Sequence, residues 1–399
     1  MTEPATRKPF EGVTILDFTR VLAGPYCTAL LADQGARVIK VEPPGGDDQR
    51  AMGAFRDGLS LSFEMINRNK RSLRLDLRNP EGRAIAGALA ERADVVIENF
   101  RPGVADRLGI GPAALTGANP RLIYCSISGF GQDGPMAAMP AYDVVIQALS
   151  GMMSITGMPE GPPMLVGESI ADITAGLYAA QAISAALYRR EASGTGAVLD
   201  VAMFDTLFSL LPTALAMWQR QGETPPRSGN RHPLSAPFGL FQAADAPVII
   251  AVANPALFAA LAEAIGRGDL CDDPRFATDR LRRANADALQ AEIERWTRRL
   301  SADAVVERLA ATGVPVSRVR DVAHAATSDH AQARGLLHAV SHPALGPLRL
   351  PEQPVRFAGA PRGAPRRAPD LGADGGAILS EMLDLPEAEI ARLRERNII

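Results

Sequence analysis

The chain has 399 residues with 42 Lys and Arg against 45 Asp and Glu, a length beyond a single core of roughly 250–300 residues, so two domains are expected. The formal net charge of -3 supplies no global basic field for nucleic acid or an anionic membrane, which leaves a small-molecule substrate. Cys27, Cys125 and Cys271 form no Cys-x-x-Cys pair, the N-terminus lacks an apolar signal core, and the apolar window 201–218 is broken by Asp205 and Pro212; a cytoplasmic protein without disulfides or zinc is expected.

Residues 12–18 read as a strand, 26–34 as a helix, 36–42 as a second strand and 80–92 as a helix. Strands follow at 93–99 and 121–128, each a nearly continuous apolar run suited to a sheet covered on both faces. This is the pattern of a large doubly wound, Rossmann-like α/β domain, in which ligands bind outside the carboxyl ends of the strands. Those ends carry Gly/Pro loops at 19–25, 99–103 and 128–135. The last contains a Gly-x-Gly-x-x-Gly match at Gly129, Gly131 and Gly134. It does not follow the first strand, and Pro135 and Pro140 interrupt any helix after it, so it reads as a turn-rich loop rather than a dinucleotide fingerprint.

The run Asn67-Arg-Asn-Lys-Arg71-Ser72, before an edge strand at 73–78, concentrates positive charge. It fits a solvated turn, and it fits an anion contact through bidentate arginine. Further on, an apolar helical pattern over 173–187 has Asp172 at its mouth. Two readings of Asp172 stand side by side. It can be a helix N-cap, although Ala175 occupies the position where a capping box needs Glu or Gln. It can also be a carboxylate nucleophile held among small and apolar residues that exclude water.

A strand at 196–202 and a long helix to about residue 221 complete the first part, and the Pro/Gly-rich stretch 225–230 marks a boundary. Strands at 247–252 and 314–319 with helices at 255–265, 285–300 and 302–311 form a smaller α/β domain. The expected division is 1–224, 225–330 and 331–399, the last containing a Pro/Arg-rich connector at 359–370 and closing helices at 373–384 and 386–396. His232 is the one histidine near a proposed site, and the others show no paired ligand spacing, so no metal is expected.

The motifs Leu16-Asp-Phe-Thr-Arg-Val-Leu-Ala-Gly-Pro25, Gly35-Ala-Arg-Val-Ile-Lys-Val-Glu-Pro43, Gly46-Asp-Asp-Gln-Arg50, Asn67-Arg-Asn-Lys-Arg-Ser72, Asp94-Val-Val-Ile-Glu-Asn-Phe-Arg-Pro-Gly103, Ser128-Gly-Phe-Gly-Gln-Asp-Gly-Pro135 and the stretch at Asp172 follow in order. Together they resemble the class III coenzyme A transferase family, also called CaiB/BaiF. The resemblance implies an interlocked homodimer whose C-terminal part returns to the large domain. It also implies a CoA thioester as substrate and no tightly bound cofactor. It makes Asp172 the catalytic carboxylate, acting through an aspartyl-acyl anhydride and an aspartyl-CoA thioester. The Gly-rich loop would offer backbone N–H groups to the oxyanion.

By the same alignment Val21, Leu22 and Ala23 face the CoA, Leu75 and Arg78 its adenine end, and Asn99, Phe100 and Arg107 the pantetheine and phosphates. Pro43 falls where some relatives carry a basic residue. Tyr142 stands where family racemases have His before an Asp, which argues against an acyl-CoA racemase or isomerase. The stretch Ser228-Gly-Asn-Arg-His232 lacks the glycine run of formyl-CoA transferases, which argues against oxalate. The expected reaction moves CoA from an acyl-CoA, by resemblance succinyl-CoA, to a dicarboxylate. Arg68 or Arg231 would hold its distal carboxylate, with Tyr142 and His232 as further substrate contacts. A non-catalytic acyl-CoA-binding subunit is the alternative from another class.

Overall fold

The structure is a computed structural model describing residues 7–360 and 362–399, with Gln221 described by its backbone only. It divides into two compact units: the residues through Met152 with Leu165–Leu215 and Asp329–Ile399, and a second unit of Met153–Met164 and Ala216–Ser328. In the first unit the chain runs β1 (Thr14–Asp17), α1 (Ala23–Asp33), β2 (Arg37–Glu42), α2 (Leu61–Ile66), β3 (Arg71–Arg74), α3 (Pro80–Glu91), β4 (Val95–Glu98), α4 (Val104–Arg107), β5 (Ile123–Ser128), α5 (Asp143–Leu149), α6 (Ile170–Ser193) and β6 (Ala197–Ala202).

All six strands pair in parallel, in the order β3-β2-β1-β4-β5-β6. That is the doubly wound order, and its direction reverses between β1 and β4. Every residue of β4 and β5 is buried, because helices cover both faces. Alternation along the strands sends Leu16, Ile39, Leu73, Val96 and Tyr124 into one core and Ile15, Val38, Val95 and Ile97 into the other. Each such aliphatic side chain contributes about 1.5–3 kcal/mol by leaving water. The first core also takes Ile378, Leu379 and Leu393 from the closing helices α13 (Gly375–Leu383) and α14 (Glu387–Glu395).

Helix α6 spans 170–193, further at both ends than the apolar run predicts. It has the length and hydropathy of a membrane span, yet its small-residue face is packed inside the unit. Gly176 lets it approach α1: a Cβ there would stand 2.6 Å from the Ala23 carbonyl oxygen. At the far end Arg190, nearly solvent-free, donates to Asp94 at 2.8 Å, holding α6 to the start of β4.

After β6 the chain forms α7 (Met203–Phe208) and α8 (Pro212–Gln221) rather than one long helix; proline cannot continue the hydrogen-bond ladder and opens a new helix instead. The unit boundary falls inside α8, ahead of the expected 224, and residues 153–164 group with the second unit although they precede it in sequence. That unit holds β7 (Phe238–Gln242), β8 (Pro247–Ala251), α9 (Pro255–Ala264), α10 (Asp279–Ala284), α11 (Ala286–Thr297), α12 (Ala302–Ala310) and β9 (Val316–Arg318). Its sheet is antiparallel, ordered β9-β8-β7. The segment after 328 belongs to the first unit and forms a hairpin, β10 (Leu337–His342) and β11 (Gly346–Pro351), before the closing helices.

Replacing Gly176 by Ala should destabilise the protein by about 1–3 kcal/mol through overpacking of α6 on α1; chemical denaturation measures it, and an unchanged midpoint would mean that the two helices are not in this contact.

Candidate active site

The reversal point between β1 and β4 is where a doubly wound sheet opens a crevice. Two loops meet there. The amide of Asn99, just past β4, accepts from Arg20 N–H and donates to Arg20 C=O, both at 2.8 Å. Beyond Arg20 the chain turns sharply: Val21 has φ +65°, a left-handed conformation that a β-branched residue adopts only when its surroundings hold it.

The holding groups are buried charges beneath the loop. Val21 N–H donates to Asp47 (2.9 Å), which pairs with Lys40 (2.7 Å), and Lys40 donates to the Thr19 carbonyl (2.9 Å). Asp17, at the end of β1, accepts from the Thr19 backbone and from Thr28, and pairs with Lys70 at 3.0 Å. The side chains of Asp17, Lys40 and Lys70 have no solvent contact. Burial raises the Asp17 carboxyl, but Lys70, Lys40 and the two threonine hydroxyls outweigh it and hold the group at about 2. Burial draws Lys70 down to about 8, against the opposing charge of Asp17.

These contacts decide the fate of the basic run at 67–72. Lys70 is committed to Asp17. Arg68 is 3 % exposed and bound through two guanidinium nitrogens to Asp33, while Arg71 pairs with Glu381. Arg68 therefore does not read a substrate carboxylate: its charge is already neutralised inside the fold, and breaking such a pair costs several kcal/mol.

Asp172 lies in the first turn of α6, three residues past the N-cap Ser169, which makes no side-chain cap bond. The capping is done from outside the helix. Asp143 Oδ1 accepts from Ala171 N–H at 2.7 Å and, more weakly, from Asp172 N–H at 3.4 Å. Its Oδ2 accepts from Gln147, whose carbonyl oxygen in turn receives Val166 N–H. The N-cap reading of Asp172 is thus corrected, since Asp143 fills that role. Among the described residues the Asp172 carboxylate has no hydrogen-bond donor and no cation beside it. Burial first, and the Asp143 charge second, push it up to about 7. Sequence reasoning passed over Asp143, whose partner is 28 positions away.

The Gly-rich loop after β5 packs against the same corner, for a Cβ on Gly129 would meet Ala141 at 2.3 Å. Gly131 N–H is taken by Ser128 and Gln132 N–H by Asp200, so those two amides are not free for an oxyanion. Gly131 and Gly134 take positive φ, and the helix that follows begins only at Asp143. Tyr142 precedes that helix and is 73 % exposed. A second unforeseen acid is Glu98 at the end of β4, buried and pushed up to about 7 by that burial, with Asp106 and Asp200 adding to it.

Along the carboxyl ends of β1–β4 runs a cavity of ≈ 500 Å³. Leu75, Arg78 and Phe100 line it, with Pro43 and Pro44 as an apolar wall and Arg20 at its side. Arg78 pairs with Asp76 and Arg20 with Asp48, both in exposed positions. Such pairs are worth little in water, which leaves both guanidiniums open to a phosphate. Val21 and Leu22 lead from Arg20 into α1 at Ala23, and Asn99 is bonded to Arg20. Arg107 lies on α4 beside Gly103, outside the lining. Arg231 and His232 belong to the second unit, where Arg231 pairs with Asp287 at 2.7 Å. Among the described residues no group of His, Cys, Asp or Glu is arranged to hold a metal ion.

The sequence profile of CoA-transferase family III matches residues 10–375. The chain belongs to that family. As a class III CoA-transferase it is 46 % identical to an acetyl-CoA:oxalate CoA-transferase of Acetobacter aceti, over 90 % of this chain and 92 % of that one. It is 36 % identical to a succinyl-CoA–D-citramalate CoA-transferase of Chloroflexus aurantiacus over the full length of both. A crystal structure of a CaiB/BaiF family protein from Brucella suis superposes with a TM-score of 0.84 at 38 % identity, covering 94 % of this chain and all of the other. That first relative is named for oxalate, the acid that the missing glycine run argues against.

A nucleophilic Asp172 would have to be ionised, so with that role kcat/KM should fall as pH drops through about 7. Asp143→Asn keeps an oxygen for Ala171 N–H but removes the neighbouring charge, so the acid limb should move to lower pH while burial keeps it above the ordinary aspartate range. A pH–rate profile checks this, and an unmoved limb would separate Asp143 from the titrating group.

Proposed function

We propose that the enzyme moves CoA from an acyl-CoA, with succinyl-CoA the leading donor, to a dicarboxylate, and that Asp172 is its nucleophile. The carrying observation is a raised, partnerless carboxylate in the first turn of α6, one turn ahead of Gly176, which packs on Ala23 at the end of the loop from Arg20. Asp172 attacks the thioester carbonyl, giving a mixed anhydride and CoA thiolate. The thiolate attacks the aspartyl carbonyl and releases the donor acid, leaving an aspartyl-CoA thioester. The acceptor carboxylate displaces the thiolate to form a second anhydride, and the thiolate then takes the acceptor acyl group and frees Asp172. A carboxylate suits this cycle because its anhydride stays activated at every step.

The CoA nucleotide takes the cavity lined by Leu75, Arg78 and Phe100, with Val21, Leu22, Ala23 and Asn99 along the pantetheine and Arg107 near the phosphates. Its apolar wall at Pro43 leaves Arg20 and Arg78 as the cations on that side. Arg231, His232 and Tyr142 are the candidates for the acceptor. Tyr142 in place of a histidine, and the use of Asp143 as a helix cap, both count against racemisation. The proposed working form is a cytoplasmic homodimer, supported by Leu177 and Tyr188 on the outer face of α6 and by three free cysteines. In this reading the CoA ester is a substrate, and no tightly bound cofactor is required.

Mass spectrometry of thioesters formed from succinyl-CoA or acetyl-CoA with oxalate, D-citramalate and glutarate tests the proposal. The wild-type enzyme should form new CoA esters, and Asp172→Ala should lower the rate by on the order of 10⁴-fold or more. Retained activity in the variant would leave Asp172 as an ordinary first-turn acid; no new ester from wild type with any pair would overturn the donor and acceptor class.

A further inference from the structure

The second unit contains a cavity of ≈ 520 Å³ with an unusual charge. Its lining includes Arg220, Arg227, Arg231, Arg280, Arg283 and His232, and no Asp or Glu. The apolar part of the wall is made by Phe238, Leu240 and Leu289. The volume falls within the roughly 300–1,000 Å³ typical of small-molecule sites, and a mostly apolar wall with a few placed polar groups is what such sites present.

The positive charge is only partly balanced by neighbours. Arg227 is turned onto backbone carbonyls of Met158, Pro159 and Gly161, and Arg231 is paired with Asp287 and Gln290. Arg220, Arg280 and Arg283 have no ion pair among the described residues. Arg280 and Arg283 stand three apart on α10 and so share a face of that helix. Two nearby acids are already engaged: Asp279 accepts from Ala236 N–H and lies by Arg282, and Glu294 is held by Gln242, Gln290 and Arg298. His232 stacks on Phe238 with ring centroids 4.7 Å apart and accepts Leu234 N–H at Nδ1, which leaves Nε2–H as a further donor.

We propose that this cavity is a binding site for an organic polyanion, whose carboxylates or phosphates meet Arg220, Arg280 and Arg283 while its carbon body lies against the Phe238 and Leu289 wall. Guanidinium groups bind carboxylate and phosphate alike, and the enzyme's proposed substrates supply both chemistries. A dicarboxylate acceptor has two carboxylates; the nucleotide end of CoA has phosphates and a flat base. The cavity residues all lie in the second unit, so the site does not depend on the role of Asp172.

Isothermal titration of the full-length protein without any acyl-CoA donor, so that nothing turns over, separates the two sources. The probes are glutarate and adenosine 3′,5′-bisphosphate, with inorganic phosphate as the small-anion control. One organic probe should bind saturably and more weakly as salt rises. An Arg280→Ala/Arg283→Ala double variant should weaken it by about tenfold or more, with an unchanged melting temperature. Glutarate binding with this dependence makes the cavity an acceptor site, and bisphosphate binding makes it a nucleotide site. The proposal fails if neither probe saturates, if phosphate alone binds as tightly, or if the double variant binds like the wild type, since the heat then comes from elsewhere, such as the cavity of the first unit. Failure of the thioester assay with intact binding here would overturn the transfer reaction and leave this site standing.

Discussion

The active-site corner depends on a charge network that water does not reach. Asp17 closes β1, Lys40 lies on β2, Asp47 follows β2, and Lys70 leads into β3, so three neighbouring strands each send a charge to one place. Burying four ions is expensive, and the cost is offset only because each finds a counter-charge and further hydrogen bonds at 2.6–3.0 Å. What the network secures is the backbone above it. A left-handed Val21 costs about 1–3 kcal/mol, yet the loop stays in that form because Asp47 and Lys40 each hold one of its backbone groups and Asn99 holds two. An apolar core of equal stability would leave those polar groups unpaired and the loop free to relax.

The same corner sets the character of the proposed nucleophile, Asp172. A carboxylate in the first turn of a helix is ordinarily stabilised as an anion by the unpaired N–H groups there. In α6 those groups are claimed by Asp143, which therefore satisfies the helix while placing a second negative charge beside Asp172. Burial works in the same direction. Asp172 is left more basic than a surface aspartate, and a more basic carboxylate is a stronger nucleophile while remaining partly ionised near neutral pH. Two acids close together thus divide the work: one is fixed by hydrogen bonds, and the other is kept free of them.

Much of the first unit was legible because its strands are continuous apolar runs between Gly/Pro loops, a pattern with few alternatives. The ordered motifs made the family legible as well. What stayed hidden was non-local. Nothing in the spacing of Asp143 and Ala171 says that one caps the other, and the charge run at 67–72 looks the same whether its arginines face solvent or, as Arg68 does, a buried Asp33. The grouping of 153–164 with the second unit has no compositional mark. Pro212, by contrast, was a readable break, but the apolar residues on both sides of it masked its effect.

The division of the chain bears on how much of its specificity the motifs can carry. The motifs quoted from Leu16 to Asp172 lie in the first unit, where the strand ends and α6 present groups suited to a CoA thioester and to one carboxylate. None of those groups needs to distinguish what lies beyond the reacting carbonyl. Relatives named for oxalate and for D-citramalate, at 46 % and 36 % identity, differ in the size and polarity of the acid, and such differences are resolved by pocket shape and by which buried polar groups are left unpaired. The residues free to vary without disturbing the chemistry are those outside the charge network and the α6 cap. The unpaired arginines of the second unit belong to that class, so the polyanion site proposed there could vary with the acid without touching the groups of the first unit.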